Sequence, residues 1–349
     1  MAQRTRTNSE MRNEGDKKEG SSVNKAFWNC SYLPLELPLA VGLIPVRMMA
    51  QNGPTPLADR FLPANLCSYA RSFLEESLKE EGGLFLLCDC CDAVRRLADA
   101  LEYEFPGKVM LLYLPRSPEY FKFFREELKR LQDFLLQITA RGLDQEKILE
   151  AKERVASRRR YFQEIRALAR EGLIRPLDYF QILKAMNDFS QNLEPAKAGS
   201  QGKARVFVLG NNLDDPAVWE AFEELDLRIV GDDLCYGEKQ AEIFPEFQGE
   251  DYLEALALSY LSRPPCPRMR NLKERLDDLL NKIQARRVNG VIIFPTKYCD
   301  SFFYDLPLLR TSLKEKNVPF LILEQDYSQR PLEQLKTRIE VMLEKGEHR

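Results

Sequence analysis

The sequence is poor in histidine: among 349 residues there is one, His348, next to the C-terminus. A Ser-His-Asp or Cys-His nucleophile system therefore cannot be assembled within the chain. A two-histidine zinc site and a two-histidine, one-carboxylate iron site are excluded with it. Long apolar runs are missing too. The longest candidate, "YLPLELPLAVGLIPV", carries Glu36 and three prolines and falls short of the ~18 residues that a membrane-spanning helix needs. Residues 1–25 hold no apolar segment of the kind a secretory signal requires. Their composition is that of a disordered polar tail, and a cytoplasmic location is the expectation. An excess of one charge is absent as well: 51 Lys and Arg against 54 Asp and Glu leave −3. That is too little to argue for nucleic acid or a membrane surface as partner. The basic triplet Arg158-Arg159-Arg160, set among acidic residues, is expected on a solvated helix face. Neither a Walker A motif nor the dinucleotide-binding glycine fingerprint occurs, so no nucleotide site is expected.

What the sequence does have is eight cysteines. In a long chain without a secretory signal they do not argue for a disulfide framework. Metal binding or redox chemistry is the stronger expectation, and with so little histidine, sulfur must supply most of the ligands. Apolar strand-like runs alternate with helical patterns in both halves, as in "GGLFLLCDCCDAVRRLADALEYE" and "RVFVLGNNLDDPAVWEAFEELDLRIVGDD". The alternation predicts an α/β fold of two Rossmann-like (flavodoxin-like) parallel-sheet domains, with an additional charged helical segment from Asp144 to about Asp188. The expected boundaries are a tail over 1–25, an N-terminal domain with the helical segment over 26–200, and a C-terminal domain over 201–349. The stretch "GSQGKA" at 199–204 reads as the linker.

Open parallel sheets bind their ligands outside the carboxyl ends of the strands, and that is where the cysteines fall. "LFLLCDCCD" and "VIIFPTKYCD" each put Cys-Asp just past an apolar strand, and "LRIVGDDLC" does the same with Cys235. Cys30 and Cys67 precede expected helices, whose free N–H groups favour thiolate. Cys266, in "SRPPCPRMR", is held in an extended loop by its prolines. Cys88 continues a buried run and is expected to pack as a small hydrophobe, while Cys90 is expected to line the turn. The other six, Cys30, Cys67, Cys91, Cys235, Cys266 and Cys299, are the candidate metal ligands. They lack the close pairing typical of zinc sites, but thiolates drawn from distant parts of a chain suit an iron–sulfur cluster. Asp92 and Asp300 are expected as helix caps. Glu36, in an apolar stretch beside Cys30, is a candidate for acid–base work, with Ser31 as a weaker second; the alternative for Glu36 is an exposed first helical turn.

The segments "NCSYLPLELPLAVGLIPVR", "LPANLCSYARSFLE", "CDAVRRLADAL" and "GVIIFPTKYCDSFFYDLPLLR", followed by "VPFLILEQDYS" and "LKTRIE", occur in this order. Together they resemble the D-component of 2-hydroxyacyl-CoA dehydratases, in the superfamily that includes benzoyl-CoA reductase subunits. The resemblance implies two truncated Rossmann-like domains with an iron–sulfur centre between them. It also implies a separate ATP-hydrolysing iron–sulfur activator that delivers single low-potential electrons. In dehydratase members three cysteines hold one [4Fe-4S] cubane, and these match Cys30, Cys67 and Cys299. Cys91, Cys235 and Cys266 go beyond that set. Six cysteines are three for each of two cubanes, as expected of the double-cubane branch, whose [8Fe-9S] cluster reduces small molecules in a homodimer. The alternatives are a (R)-2-hydroxyacyl-CoA dehydratase subunit acting through a ketyl radical beside a related second subunit, and a non-catalytic electron-relay or cluster-carrier protein.

Overall fold

The computed structural model describes residues 24–80, 82–196, 199, 202–248, 251–327 and 332–347. The tail as far as residue 23, part of the 199–204 linker and His348 lie outside them. The described chain forms two four-stranded, all-parallel sheets. The first contains β1 (Lys25–Trp28), β2 (Ile44–Arg47), β3 (Leu84–Cys88) and β4 (Val109–Leu112) in the order β2-β1-β3-β4. The second contains β5 (Ala204–Gly210), β6 (Leu227–Asp233), β7 (Gly290–Phe294) and β8 (Phe320–Ile322) in the order β6-β5-β7-β8. The two orders are the same, and in each the chain reverses direction across the sheet between the two middle strands. A crevice at such a switch point, beyond the strands' carboxyl ends, is where open α/β sheets bind ligands.

The central strands "LFLLC" and "GVIIF" are buried along their whole length, because helices cover both faces of each sheet. In the first half these are α1 (Glu36–Ala40), α2 (Ser68–Ser77), α3 (Asp92–Glu104), α4 (Phe121–Thr139), α5 (Gln145–Arg170) and α6 (Pro176–Met186). In the second they are α7 (Pro216–Glu224), α8 (Tyr252–Leu261), α9 (Leu272–Ala285), α10 (Asp300–Glu315) and α11 (Leu332–Glu347). β1 goes unforeseen in the sequence. Its four residues, "KAFW", are too few to show a period, and it is fixed by pairing with β2 on one side and β3 on the other.

Packing crosses residue 200 in both directions. α8 packs on α4 in the core of the first sheet, with Leu256, Ala257 and Tyr260 fully buried there. α6 packs on α7 in the core of the second, with Phe180 stacked on Trp219. Arg47 at the end of β2 is paired with Asp214 at 2.9 Å, both buried, and lies over the Tyr236 ring at 3.9 Å. That pair joins the two sheets directly.

The basic triplet is not a solvated face. Arg159 is buried, donating to Glu36 at 3.1 Å, the Ile243 carbonyl at 2.7 Å and the Tyr260 hydroxyl at 2.6 Å. Arg158 is bound to the carbonyls of Ala185, Asp188 and Gln191. Only Arg160 is exposed. α5 runs between the two cores, so a helix face that sequence alone assigns to water is covered by its neighbours. Among the described residues no helix is long and apolar enough to cross a membrane.

Candidate metal centre

The carboxyl ends of both sheets open on one cavity of about 90 Å³. All six candidate ligands, Cys30, Cys67, Cys91, Cys235, Cys266 and Cys299, line it, together with Cys90. Cys30 follows β1, Cys90 and Cys91 follow β3, Cys235 follows β6 and Cys299 follows β7. Cys88 is the last residue of β3, fully buried, and is absent from the lining. All eight thiols are free.

Three of the cysteines occupy helix N-cap positions. Cys67 caps α2, Cys91 caps α3 and Cys299 caps α10. Each has non-helical backbone, and each carbonyl accepts the first helical N–H, from Arg71 at 3.2 Å, Arg95 at 3.3 Å and Phe303 at 3.1 Å. This corrects the expectation for Asp92 and Asp300. They are the first helical residues, and the cap falls one position earlier because the extended turn leaving the strand ends at the cysteine. Each acidic side chain still stands in the first turn, where the helix dipole favours it. Backbone N–H groups of Ala93 and Val94 favour the Cys91 thiolate, and those of Ala70 and Tyr69 favour the Cys67 thiolate.

The thiols differ in proton affinity. Hydrogen bonds from Cys88 and Cys90 hold Cys30 well below the ordinary thiol range. A hydrogen bond from Cys90 lowers Cys91, and Cys90 is itself raised by its bonds to both. Burial pushes Cys67 and Cys235 up to about 12, and Cys299 is raised for the same reason. The candidates also act on one another across the cavity. Cys299 feels Cys67, Cys91 and Cys235, and Cys67 feels Cys91. Cys235 feels Cys266 and Cys30.

The rest of the lining suits negative charge. It contains Lys239, Arg263 and Arg268 and no carboxylate. Arg263 is buried, stacked on Tyr32 at 3.6 Å, and donates to the Ser31 hydroxyl at 2.7 Å. Arg268 is fixed by the carbonyls of Asp89 at 3.1 Å and Pro115 at 2.6 Å. Lys239 is already paired with the buried Asp233 at 2.6 Å, so with three helix N-termini it is Arg263 and Arg268 that would offset the charge of several thiolates. Thr296 lines the cavity at 1% exposure, and its hydroxyl has no hydrogen-bond partner in the protein. A buried hydroxyl left so calls for a partner in the cavity. The donor set therefore fits a thiolate-held iron–sulfur group. Among the described residues no three donors converge as ligands of a single metal ion. In a cluster each thiolate holds a different iron, and the sulfurs stand apart around it.

Ser31 is in the lining, but its hydroxyl is engaged, donating to the Cys235 carbonyl at 2.6 Å and accepting from Arg263. Glu36 is not in the lining. It is fully buried between Arg159 and Tyr260, accepting at 3.1 and 2.7 Å. Sequence reasoning missed Asn29, Asn211, Thr296, Lys239, Arg263 and Arg268. None sits in a recognisable spacing; the one available signal was position just after a legible strand, which Asn211 shares with the cysteines, whereas Asn29 follows the unforeseen β1.

Residues 30–345 match the family model for 2-hydroxyglutaryl-CoA dehydratase, D-component. Among curated proteins, the chain is 24% identical to the (R)-phenyllactyl-CoA dehydratase beta subunit of Clostridium sporogenes, over 90% of this chain and 89% of the relative. It is 24% identical to the lactoyl-CoA dehydratase subunit beta of Anaerotignum propionicum, over 90% and 89%. It is 21% identical to the (R)-2-hydroxyglutaryl-CoA dehydratase subunit beta of Acidaminococcus fermentans, over 90% of each. With two matching parallel sheets, cysteines gathered where their strands end, and a family match over nearly the whole described chain, the protein belongs to the 2-hydroxyglutaryl-CoA dehydratase D-component family.

Proposed function

We propose that this chain is the iron–sulfur-bearing component of a 2-hydroxyacyl-CoA dehydratase-type system, with its cluster held in the cavity between the sheets. The observation that carries the reading is the gathering of seven cysteines, from both halves of the sequence, on one cavity that also holds three cations and no carboxylate. Such a cluster stores and passes single electrons at low potential. The chain's own residues do the rest. Cys30, Cys67, Cys91, Cys235, Cys266 and Cys299 anchor it. Helices α2, α3 and α10 point their N-termini at it, Arg263 and Arg268 balance its charge, and the surrounding apolar cores limit water. A separate ATP-hydrolysing activator is the proposed electron source, as the family resemblance implies.

The finer reading is a double-cubane [8Fe-9S] cluster that reduces a small substrate in a homodimer. What supports it is that all six candidate cysteines line the one cavity, three for each of two cubanes. A second reading is favoured by the relatives, each named as the beta subunit of an acyl-CoA dehydratase. It has a single [4Fe-4S] cluster, a (R)-2-hydroxyacyl-CoA substrate and a related partner subunit. Iron and acid-labile sulfide, counted in protein purified without oxygen, separate the two: about eight irons per chain for the first and about four for the second. Protein that binds neither would refute both.

A further inference from the structure

Both sheets carry the same small device at the same place. β1 ends at Trp28 and β5 at Gly210, and the next residue in each case is an asparagine, Asn29 or Asn211, 6% and 9% exposed. Each side-chain oxygen accepts a backbone N–H from the neighbouring central strand or the turn beyond it. Cys88 donates to Asn29 at 2.9 Å, and Thr296 donates to Asn211 at 3.2 Å. A backbone N–H can only donate, so it fixes which end of the amide is oxygen. The NH2 of each is then the end nearest a cysteine sulfur. Asn211 Nδ2 lies 3.2 Å from Cys299 Sγ, and Asn29 Nδ2 lies 3.8 Å from Cys90 Sγ while also donating to the Cys88 carbonyl at 3.4 Å. Gly210 permits the approach on the β5 side: a Cβ there would stand 2.7 Å from the Phe294 carbonyl oxygen.

We propose that Asn29 and Asn211 are matched positioning residues of the iron–sulfur site. Each ties a central strand's exit to its neighbouring strand and donates an N–H···S hydrogen bond to a cysteine sulfur on that exit. This rests on the iron–sulfur reading given above. A donor to a ligand sulfur stabilises the reduced, more negative cluster more than the oxidised one, so both amides raise its reduction potential. Asn211 acts on a candidate ligand directly. Asn29 reaches Cys90, which is outside the six candidate ligands, and its contact is longer and shared with the Cys88 carbonyl. The larger effect therefore belongs to Asn211.

The test is the midpoint potential of the anaerobic, iron-loaded protein, followed by electron paramagnetic resonance, in wild type, Asn211→Ala and Asn29→Ala. Iron content and the melting temperature of the iron-free chains are measured alongside. Lower potentials at unchanged iron, with Asn211→Ala lowered more, are expected. Loss of iron from a variant whose iron-free chain melts as wild type does also supports a positioning role. Full iron at the wild-type potential in Asn211→Ala would overturn it. So would loss of iron accompanied by a lower melting temperature of the iron-free chain, which would make the asparagine a strand clamp only. A wild-type protein without iron and sulfide would overturn the iron–sulfur reading as well, an outcome distinct from any confined to the variants.

Discussion

Glu36 offers the sharpest separation between a structural and a chemical role. Its carboxylate is fully buried, one oxygen 3.1 Å from Arg159 and the other 2.7 Å from the Tyr260 hydroxyl. Arg159 in turn reaches Tyr260 and the Ile243 carbonyl, so the cluster joins α1, α5, α8 and the chain before α8. Replacing Glu36 by Ala leaves the Arg159 guanidinium buried without its counter-charge. Removing one partner of a buried ion pair costs about 3–5 kcal/mol. Against a total stability of roughly 5–15 kcal/mol, that is a large share. For a chain of this length, melting as one unit, it corresponds to a fall of about 4–8 °C in melting temperature. Glu36→Gln keeps the shape and the hydrogen bonds to one side but loses the charge, and should fall between wild type and Glu36→Ala. The assay is thermal or urea unfolding of the iron-free protein, with iron binding measured separately. A wild-type melting temperature in Glu36→Ala, together with loss of turnover in the loaded protein, would refute the structural assignment and return Glu36 to acid–base work.

Two further outcomes are expected. Cys266→Ala should lose roughly half its iron if two cubanes are present, three thiolates to each; unchanged iron would remove Cys266 from the ligand set. Burial, with Glu238 nearby, pushes the Asp232 carboxyl up from 3.8 to about 6. The protonated form is the one the fold prefers, so the stability linked to this group is full below about pH 4 and is lost as pH rises through 6. Asp232→Asn keeps an acceptor for the Leu234 and Glu238 N–H groups, which lie at 2.9 and 3.2 Å. It should be more stable than wild type above pH 6, by about 2–3 kcal/mol at most, and alike near pH 4. Parallel stability profiles from pH 4 to 8 would contradict this.

The class of fold was legible in the sequence alone. Buried parallel strands are apolar throughout, so "LFLLC" and "GVIIF" announce themselves, and the turn residues that follow them are where such sheets present ligands. A single histidine beside eight cysteines makes sulfur the expected ligand for any metal. Local rules also placed Cys67 at a helix start, and Cys91 and Cys299 at strand ends, one residue before the acids expected to cap the helices. What local rules cannot report is which elements meet. β1 exists only through its two neighbours, and α6 and α8 each pack in the core of the sheet that the sequence division at residue 200 assigns to the other half. Arg159 and Glu36 look like a surface cation and a free acid until α5 is laid between two cores, where each becomes the other's counter-ion. The convergence of Cys30 with Cys235 and Cys266, more than 200 residues apart, and the turning of Asn29 and Asn211 toward the sulfurs are decided by the same cause. Two sheets of one topology set their carboxyl ends against each other, and only that arrangement gives the scattered side chains a common space.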